Sequence, residues 1–291
     1  MRLGLLAPAF VGMLGVAGCA TSPIPTAPVA AAVAPAAGEA PAGMQYLYGS
    51  GEAAAASRQA WNALVAYAGE RVRQRPRDGV VLAKGATLAA PAFEPCGAKP
   101  YAAVFDVDET VLLNRGFEYD AATGQPYSDA RWRAYEVTGV TTTVATPGAK
   151  EGLDALRRLG VTVVFNTNRA ADHLDATVAA LTRAGLGPAV HGETLFLKGD
   201  DATGSRKDAR RERIADRYCV IAMGGDQLGD FTDLFNGSGA VAVRRDATGT
   251  AALARLWGRG WFVLPNPVYG TALKGTLDEI FPADARWAPE P

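Results

Sequence analysis

The sequence predicts an α/β protein in which helices cover both faces of a parallel sheet. Short apolar runs recur along the chain and alternate with segments of helical spacing. Such continuous apolar runs are typical of parallel strands that are buried on both faces. Polar motifs stand directly after three of these runs, and ligands of open parallel sheets bind beyond the carboxyl ends of the strands.

The predicted domain begins with a helix over residues 54–73, where apolar side chains recur at helical spacing. Pro147 favours a helix start and Gly185 a helix end. The strands are predicted over the apolar runs 102–105, 161–165, 194–197, 220–223, 240–243 and 261–264. The further helices are predicted over 148–159, 171–184, 205–217 and 251–257.

Residues 1–18 are predicted to be a signal peptide. Arg2 precedes an apolar stretch that is shorter than the about 20 residues needed to span a bilayer. The stretch ends in Val16-Ala17-Gly18-Cys19, which resembles a bacterial lipobox, although an ordinary signal peptide with a chance cysteine is the alternative. Residues 19–45 are predicted to be the acylated N-terminus and an Ala/Pro-rich tether, because segment 20–43 lacks bulky residues.

The lipobox resemblance implies a protein that is anchored by lipid to the bacterial cell envelope. Ala20 follows the cysteine where an Asp would favour the inner membrane, so the outer membrane is expected, with the domain facing the periplasm or the exterior. In that oxidising compartment Cys96 and Cys219 either form a disulfide or remain small buried side chains. The oligomeric state stays open.

Charge and histidine content exclude several classes of function. The formal net charge of −1 provides no basic field that would attract nucleic acid. His173 and His191 are the two histidines of the chain, and their spacing does not match a zinc site. No GxSxG or Walker motif is present in the sequence.

Carboxylates follow two of the predicted strands. Asp106 and Asp108 come directly after residues 102–105, and side chains two positions apart can face the same side. They could share a cation, or one could attack while the other moves a proton. Asp226 and Asp230 follow residues 220–223 in a Gly-rich loop.

Two further polar segments have a structural alternative. Thr167 and Asn168 follow residues 161–165, where a hydroxyl and backbone N–H groups make either an anion site or a helix cap. Lys207 lies in the charged segment 205–211, which alone would predict a solvated helix face.

In this order, the motifs resemble the haloacid dehalogenase (HAD) superfamily, and most closely its class C, bacterial lipoprotein-type acid phosphatases and 5′-nucleotidases. The resemblance covers residues 46 to 275. It implies a three-layer, Rossmann-like parallel sheet of the HAD type over residues 46–291, with a small cap, residues 115–146, inserted after the first strand. The matching strings are Asp106-Val107-Asp108-Glu109-Thr110-Val111-Leu112-Leu113-Asn114, Thr167-Asn168-Arg169, Ser205-Arg206-Lys207-Asp208-Ala209-Arg210, Gly225-Asp226 to Asp230-Phe231 and Pro265-Asn266-Pro267-Val268-Tyr269-Gly270.

The resemblance also implies roles for the carboxylates. Asp106 would be the nucleophile and a Mg²⁺ ligand. Asp108 would bind the metal through its backbone carbonyl, and its side chain would act as general acid and then as general base. Asp226 would be the third protein ligand of Mg²⁺, and Asp230 a further ligand or a neighbour of the metal.

Other matched positions would hold the substrate. Thr167, Asn168 and Lys207 would bind phosphate, with Lys198 as the rival lysine. Trp132 in the cap and Tyr269 are candidates for stacking on a substrate ring, such as a nucleobase. Packing of the cap's own core is the alternative for an aromatic residue of the cap.

The expected activity is therefore Mg²⁺-dependent hydrolysis of phosphate monoesters, with nucleoside monophosphates or aryl phosphates as substrates. One alternative is a lipid-anchored binding protein on the same fold, but it is disfavoured because Asp106, Asp108, Lys207 and Asp226 are all present. The other is phosphotransfer to an alcohol, which would share the aspartyl-phosphate intermediate.

Overall fold

The computed structural model describes residues 38–237 and 239–289. The predicted signal peptide, Cys19 and most of the predicted tether lie outside these residues. Helical structure begins at Ala42–Met44, before the predicted domain boundary at residue 46, and continues through a π-helical turn, Gln45–Gly49. In the described ranges, no helix is both long and apolar enough to cross a membrane.

The secondary structure alternates between strands and helices, as expected. The strands are β1 (Asp78–Leu82), β2 (Phe93–Pro95), β3 (Tyr101–Phe105), β4 (Leu112–Leu113), β5 (Val144–Ala145), β6 (Thr162–Ala170), β7 (Leu195–Lys198), β8 (Cys219–Gly225) and β9 (Trp261–Val263). The helices are α1 (Ala42–Met44), α2 (Gly51–Gln74), α3 (Arg115–Ala122), α4 (Asp129–Thr138), α5 (Ala149–Arg158), α6 (Leu174–Arg183), α7 (Asp208–Arg217), α8 (Val241–Thr248), α9 (Ala251–Ala254) and α10 (Leu277–Ile280).

Within the described residues, five parallel strands form the central sheet in the order β7-β6-β3-β8-β9. Successive side chains of β3 point to opposite faces. Ala103 and Phe105 join a core that includes α2, α5 and α6, while Ala102 and Val104 join a second core with α7 and β1. Helices thus cover both faces, and the predicted three-layer arrangement around a parallel sheet is confirmed.

The strand predicted over residues 240–243 is wrong, because this segment begins helix α8, Val241–Thr248. A run of four apolar residues does not distinguish a strand from a helix by its period. The following arginines and alanine favour a helix, and the run faces solvent, with Val243 62% exposed. The central sheet instead ends with β9.

A short antiparallel hairpin of β1 and β2, which the sequence analysis did not predict, lies beside the sheet. Cys96 follows β2 and forms a disulfide with Cys219, the first residue of β8. Both cysteines are 1% exposed. The question that the sequence left open is thus answered in favour of the disulfide.

The predicted cap, residues 115–146, follows β3 and β4 and contains α3 and α4. It is closed at its base by pairing of β4 with β5. On α4, the Glu136 carboxylate accepts a hydrogen bond from the backbone N–H of Ala170 at 3.0 Å. This contact holds the cap beside the end of β6.

Candidate active site

The carboxylates that follow β3 and β8 meet at one edge of the sheet. Oxygens of Asp106, Asp226 and Asp230 lie within 4.8 Å of one another. The backbone N–H of Asp106 donates to Gly224 at 3.0 Å and so fixes the exit of β3 against β8. A Cβ at Gly225 would overlap the side chain of Asp230, so glycine is required there for the loop to fold back.

Asp106 and Asp226 have raised pKa values. Burial raises the pKa of Asp106 well above its usual value, opposed by the nearby Lys207 and reinforced by Asp230. Burial and the Asp230 carboxylate also raise the pKa of Asp226 to about 7. Carboxylates in such surroundings favour binding of a cation or a proton.

Lys207 connects two of these acids. Its Nζ donates to Asp106 Oδ1 and, at 2.7 Å, to Asp230 Oδ1. Burial lowers the pKa of Lys207, but Asp106 and Asp230 outweigh this effect and the net shift is upward. The Asp233 carboxylate positions the lysine, because it accepts from the backbone N–H groups of Lys207 at 2.9 Å and of Asp208 at 2.7 Å.

The rival Lys198 lies elsewhere. Its side chain is exposed at the end of β7 and lines a neighbouring cavity with Arg133 and Asp172. Lys207 instead lines the cavity that contains Asp106. The geometry therefore favours Lys207 as the lysine at the carboxylate cluster.

The Asp108 side chain is held apart from the acid cluster. Its Oδ1 accepts hydrogen bonds from Arg169 Nε at 2.9 Å and Nη2 at 2.8 Å, and from Asn114 Nδ2 at 2.9 Å. Arg169 Nη2 also donates to Asn114 Oδ1 at 2.8 Å. Arg169 and Asn114 were part of the matched strings, but the sequence analysis gave them no role.

Two amide side chains orient Asp226. Asn266 Nδ2 donates to its Oδ2 at 2.7 Å, and Gln227 Nε2 donates to the same oxygen at 3.0 Å. The Thr110 hydroxyl donates to Asp226 Oδ1 at 3.2 Å. Asn266 belongs to the late Pro-Asn-Pro string, which was the available sequence signal for this contact.

Glu109 forms a buried network that the sequence analysis missed. The hydroxyl groups of Tyr48 and Tyr269 donate to its two carboxylate oxygens, the first at 3.1 Å, and the backbone N–H of Asn114 donates at 2.8 Å. Burial and the charge of Asp108 raise the pKa of Glu109 to about 7, against the lowering effect of the hydrogen bonds from Tyr269 and the Asn114 backbone. No sequence pattern indicated Tyr48.

Thr167 and Asn168 lie within β6, the strand that pairs with β3. Thr167 is fully buried, and its hydroxyl accepts from the Arg169 backbone N–H at 3.1 Å. Asn168 lines the cavity, and its Oδ1 accepts from Arg210 Nη2 at 2.7 Å. The assignment of both residues to phosphate binding stays a prediction.

A cavity of about 630 Å³ opens above the acids. Trp132 and Tyr269 both line it, so the structure brings these two predicted residues together. Trp132 also packs against Phe117, with ring centroids 5.1 Å apart, and against Tyr135 at 5.6 Å. Trp132 therefore belongs both to the cavity wall and to the cap's own core.

The donor set of the acid cluster fits an oxygen-seeking cation. All three clustered ligand groups are carboxylates. Mg²⁺ prefers carboxylate oxygens together with water and phosphate, whereas zinc sites in proteins commonly use histidine or cysteine. Asp106, Asp226 and Asp230 could thus hold a divalent cation.

Comparisons with known proteins agree with the motifs. Residues 47–272 match the family model described as HAD superfamily, subfamily IIIB (Acid phosphatase). The solved class C acid phosphatase from Bacillus anthracis is 24% identical, with a TM-score of 0.64 over 79% of this chain and 84% of that chain. A structure of the class C acid phosphatase from the same organism with tungstate bound is 22% identical, with a TM-score of 0.65 over 85% of this chain and 96% of that chain. A search of curated proteins found no match.

The two solved structures show a shared fold, and the family model spans most of the chain. The family predicted from the ordered motifs is thereby confirmed. The chain belongs to subfamily IIIB of the HAD superfamily, the acid phosphatases, and is a phosphoric monoester hydrolase.

Proposed function

We propose that the protein hydrolyses phosphate monoesters, including nucleoside 5′-monophosphates, with Mg²⁺ as its metal and Asp106 as its nucleophile. The observation that carries this proposal is the position of the Asp106 carboxylate. It lies at the end of the central strand, beside the Lys207 ammonium and two further carboxylates, at the floor of an open cavity.

In the first step the Asp106 carboxylate attacks phosphorus, and the bond from phosphorus to the ester oxygen breaks. The product is an aspartyl-phosphate, which divides hydrolysis into two easier steps. Lys207 holds the carboxylate through its Oδ1 and offsets negative charge on the incoming phosphate. In the second step water attacks phosphorus, which releases inorganic phosphate and restores the Asp106 carboxylate.

Asp108 is placed to move the protons. Arg169 and Asn114 bind its Oδ1, while its Oδ2 accepts no hydrogen bond from the described residues. The carboxyl group lines the cavity, so Oδ2 can face the leaving oxygen. Asp108 would give that oxygen a proton in the first step and take a proton from water in the second.

The metal would be held by the carboxylates of Asp106, Asp226 and Asp230 and by the backbone carbonyl of Asp108. Two unit charges of the same sign that lie 4 Å apart repel each other by about 4 kcal/mol at an effective dielectric constant of 20. When bound, Mg²⁺ supplies positive charge that offsets this repulsion between the phosphate dianion and Asp106. Asn266 and Gln227 keep Asp226 oriented for this role.

Substrate binding is assigned to two parts of the cavity. Thr167, Asn168 and Lys207 would contact phosphate at the floor. Trp132 and Tyr269 would contact the ring of a nucleoside or aryl leaving group at the wall, where stacking contributes about 1–3 kcal/mol for each base. A class C acid phosphatase of similar fold has been solved with tungstate bound, which supports binding of a tetrahedral oxyanion by this fold.

The test is phosphate release from nucleoside monophosphates and aryl phosphates by the protein after exhaustive chelation, and again after addition of Mg²⁺ or Zn²⁺. We expect no release without metal and recovery with Mg²⁺. Full activity after chelation, or recovery with Zn²⁺ alone, would contradict the metal assignment. Adding an alcohol and measuring its phosphorylated product separates hydrolysis from phosphotransfer.

We further propose that Cys19 carries the lipid anchor and that the enzyme acts at the outer membrane. The support is the string Val16-Ala17-Gly18-Cys19 and the Ala/Pro-rich segment after it. Several acyl chains would give stable anchoring. The test compares membrane and soluble fractions of the wild type and Cys19→Ser, together with the mass of the mature N-terminus; equal solubility and no acyl mass would contradict the anchor.

A further inference from the structure

The wall of the active-site cavity contains a carboxyl group without a partner, that of Glu118 on α3. Only 5% of the residue surface is exposed. Its side chain forms no hydrogen bond or ion pair within residues 38–237 and 239–289, and burial alone raises its pKa, to about 7. The catalytic scheme proposed above does not use this group.

The local structure directs Glu118 to the cavity. Helix α3 begins directly after Asn114, and Phe117, Glu118 and Ala121 line the cavity from this helix. Residues three and four apart lie on the same face of a helix. The Phe117 ring, packed 5.1 Å from that of Trp132, fixes this face of α3 to the rest of the cap.

A buried carboxyl group without a partner lowers the stability of the folded protein. A glutamine of the same size would fill the same space without a charge. No fold-stabilising contact within the described chain compensates for the cost of Glu118. A perturbed carboxyl that lines a cleft and lacks a structural partner is therefore a candidate for ligand binding.

We infer that Glu118 determines substrate specificity by contacting the leaving group, an inference that rests on the proposed function. Its carboxylate accepts a hydrogen bond from an amino group or another N–H or O–H donor on the leaving group. It disfavours leaving groups that carry a second anionic group. The titratable groups of Tyr48 and Glu109 lie near Glu118, and neither carries a positive charge. Among the described residues, two cations line the cavity, Lys207 at the acid cluster and the exposed Lys274.

The experiment measures binding by calorimetry at pH 8, using the full chain with Mg²⁺. The ligands are three non-hydrolysable benzylphosphonates with an aminomethyl, a methyl or a carboxyl group in the para position. In the wild type, we expect the aminomethyl compound to bind most tightly and the carboxyl compound least tightly. Glu118→Gln should weaken binding of the aminomethyl compound by about 10-fold and strengthen binding of the carboxyl compound by about 10-fold. Each change is the size expected from one screened charge interaction. The methyl compound should change less than about 2-fold.

Two variants control for folding and for general electrostatics. Glu118→Asp keeps the charge and should retain the order of the three ligands. Asp120→Asn removes a charge from the same helix, where Asp120 pairs with Arg131 and does not line the cavity, and it should leave all three affinities unchanged. Melting temperatures confirm that each variant is folded.

An equal change for all three ligands in Glu118→Gln, or no binding of any of them to the wild type, would overturn the inference. Hydrolysis of phenyl phosphate is measured separately. Discrimination among the phosphonates without hydrolysis would contradict the proposed function alone. Hydrolysis without a Glu118-dependent discrimination would contradict the inference alone.

Discussion

Arg169 donates two hydrogen bonds to a single carboxylate oxygen of Asp108, from Nε at 2.9 Å and from Nη2 at 2.8 Å. The guanidinium is 1% exposed and lies 5.7 Å from the ring of Trp132. The planar group thus fixes one oxygen of Asp108 and leaves the other for the cavity. The cap, through Trp132, contributes to the position of Arg169.

Replacing Arg169 by lysine should lower kcat by about 10- to 100-fold, with a smaller effect on KM. A lysine keeps the charge but not the planar pair of donors, and one charge-assisted hydrogen bond contributes about 1.5–3 kcal/mol. Steady-state kinetics with phenyl phosphate provide the measurement. Arg133→Lys alters an exposed arginine that pairs with Asp172 and should have no effect. A kcat within about 2-fold of the wild type in Arg169→Lys would contradict the positioning role.

Tyr269 allows the ring of a side chain to be separated from its hydroxyl group. Tyr269→Phe keeps the ring but loses the hydrogen bond to Glu109, whereas Tyr269→Ala loses both. If the ring stacks on a nucleobase, Tyr269→Ala should lose about 5- to 150-fold in kcat/KM for a nucleoside monophosphate, mainly through KM. Tyr269→Phe should lose much less.

The comparison substrate is a small aliphatic phosphate, which has no ring to stack. On this substrate Tyr269→Ala and Tyr269→Phe should have similar kcat/KM. Equal losses on both substrates in Tyr269→Ala would argue against a ring slot. Trp132→Ala is a weaker test, because Trp132 also packs on Phe117 and its loss should lower the melting temperature as well.

The disulfide between Cys96 and Cys219 should stabilise the fold strongly. The two residues are 123 positions apart, and closing a loop of this length in the unfolded chain contributes roughly 4 to 5 kcal/mol in the chain-entropy model. The double variant Cys96→Ala/Cys219→Ala should therefore have a lower free energy of unfolding in urea. Dithiothreitol should destabilise the wild type but not the variant; equal stability of the two oxidised proteins would contradict the prediction.

Glu118 should make stability depend on pH. Its pKa is raised in the folded protein to about 7, from 4.5, so the folded state binds the proton more tightly than the unfolded state. Its contribution is fully present below about pH 4.5 and is lost as the pH rises through about 7. Allowing for screening by solvent in the open cavity, the loss is about 1–2 kcal/mol.

Glu118→Gln removes this titration. The variant should therefore have a higher melting temperature than the wild type at pH 8 and nearly the same melting temperature at pH 4. Thermal unfolding at both pH values, in the presence of chelator, is the measurement. The reverse order, with the larger gain at pH 4, would show that the carboxyl is charged in the folded state at low pH.

The sequence specified the sheet because its central strands are buried on both faces. Residues 102–105 and 220–223 are apolar at every position, and each precedes a carboxylate motif of the kind found beyond the ends of parallel strands. Asp106 and Asp226 then lie close together, because the carboxyl ends of parallel strands are at the same edge of the sheet. The exposed run 240–243 carried no such constraint, and it is a helix.

Long-range contacts of the site were less accessible to sequence reasoning. Tyr48 and Glu109 are joined across 61 residues, and Asn266 and Asp226 across 40. Neither pairing leaves a local period in the sequence, because each is set by how the helices and loops pack onto the sheet. Glu118 was likewise unremarkable in sequence, where an acid on a short cap helix suggests solvent exposure.

The central claim is that Asp106 is the nucleophile, and the most direct measurement is kcat of Asp106→Asn with saturating Mg²⁺. The account predicts a loss of at least about 10³-fold, equivalent to about 4 kcal/mol, in a variant whose melting temperature shows that it is folded. Asn has nearly the same shape but cannot form the aspartyl-phosphate. A folded Asp106→Asn that releases phosphate within about 10-fold of the wild-type rate would contradict the account.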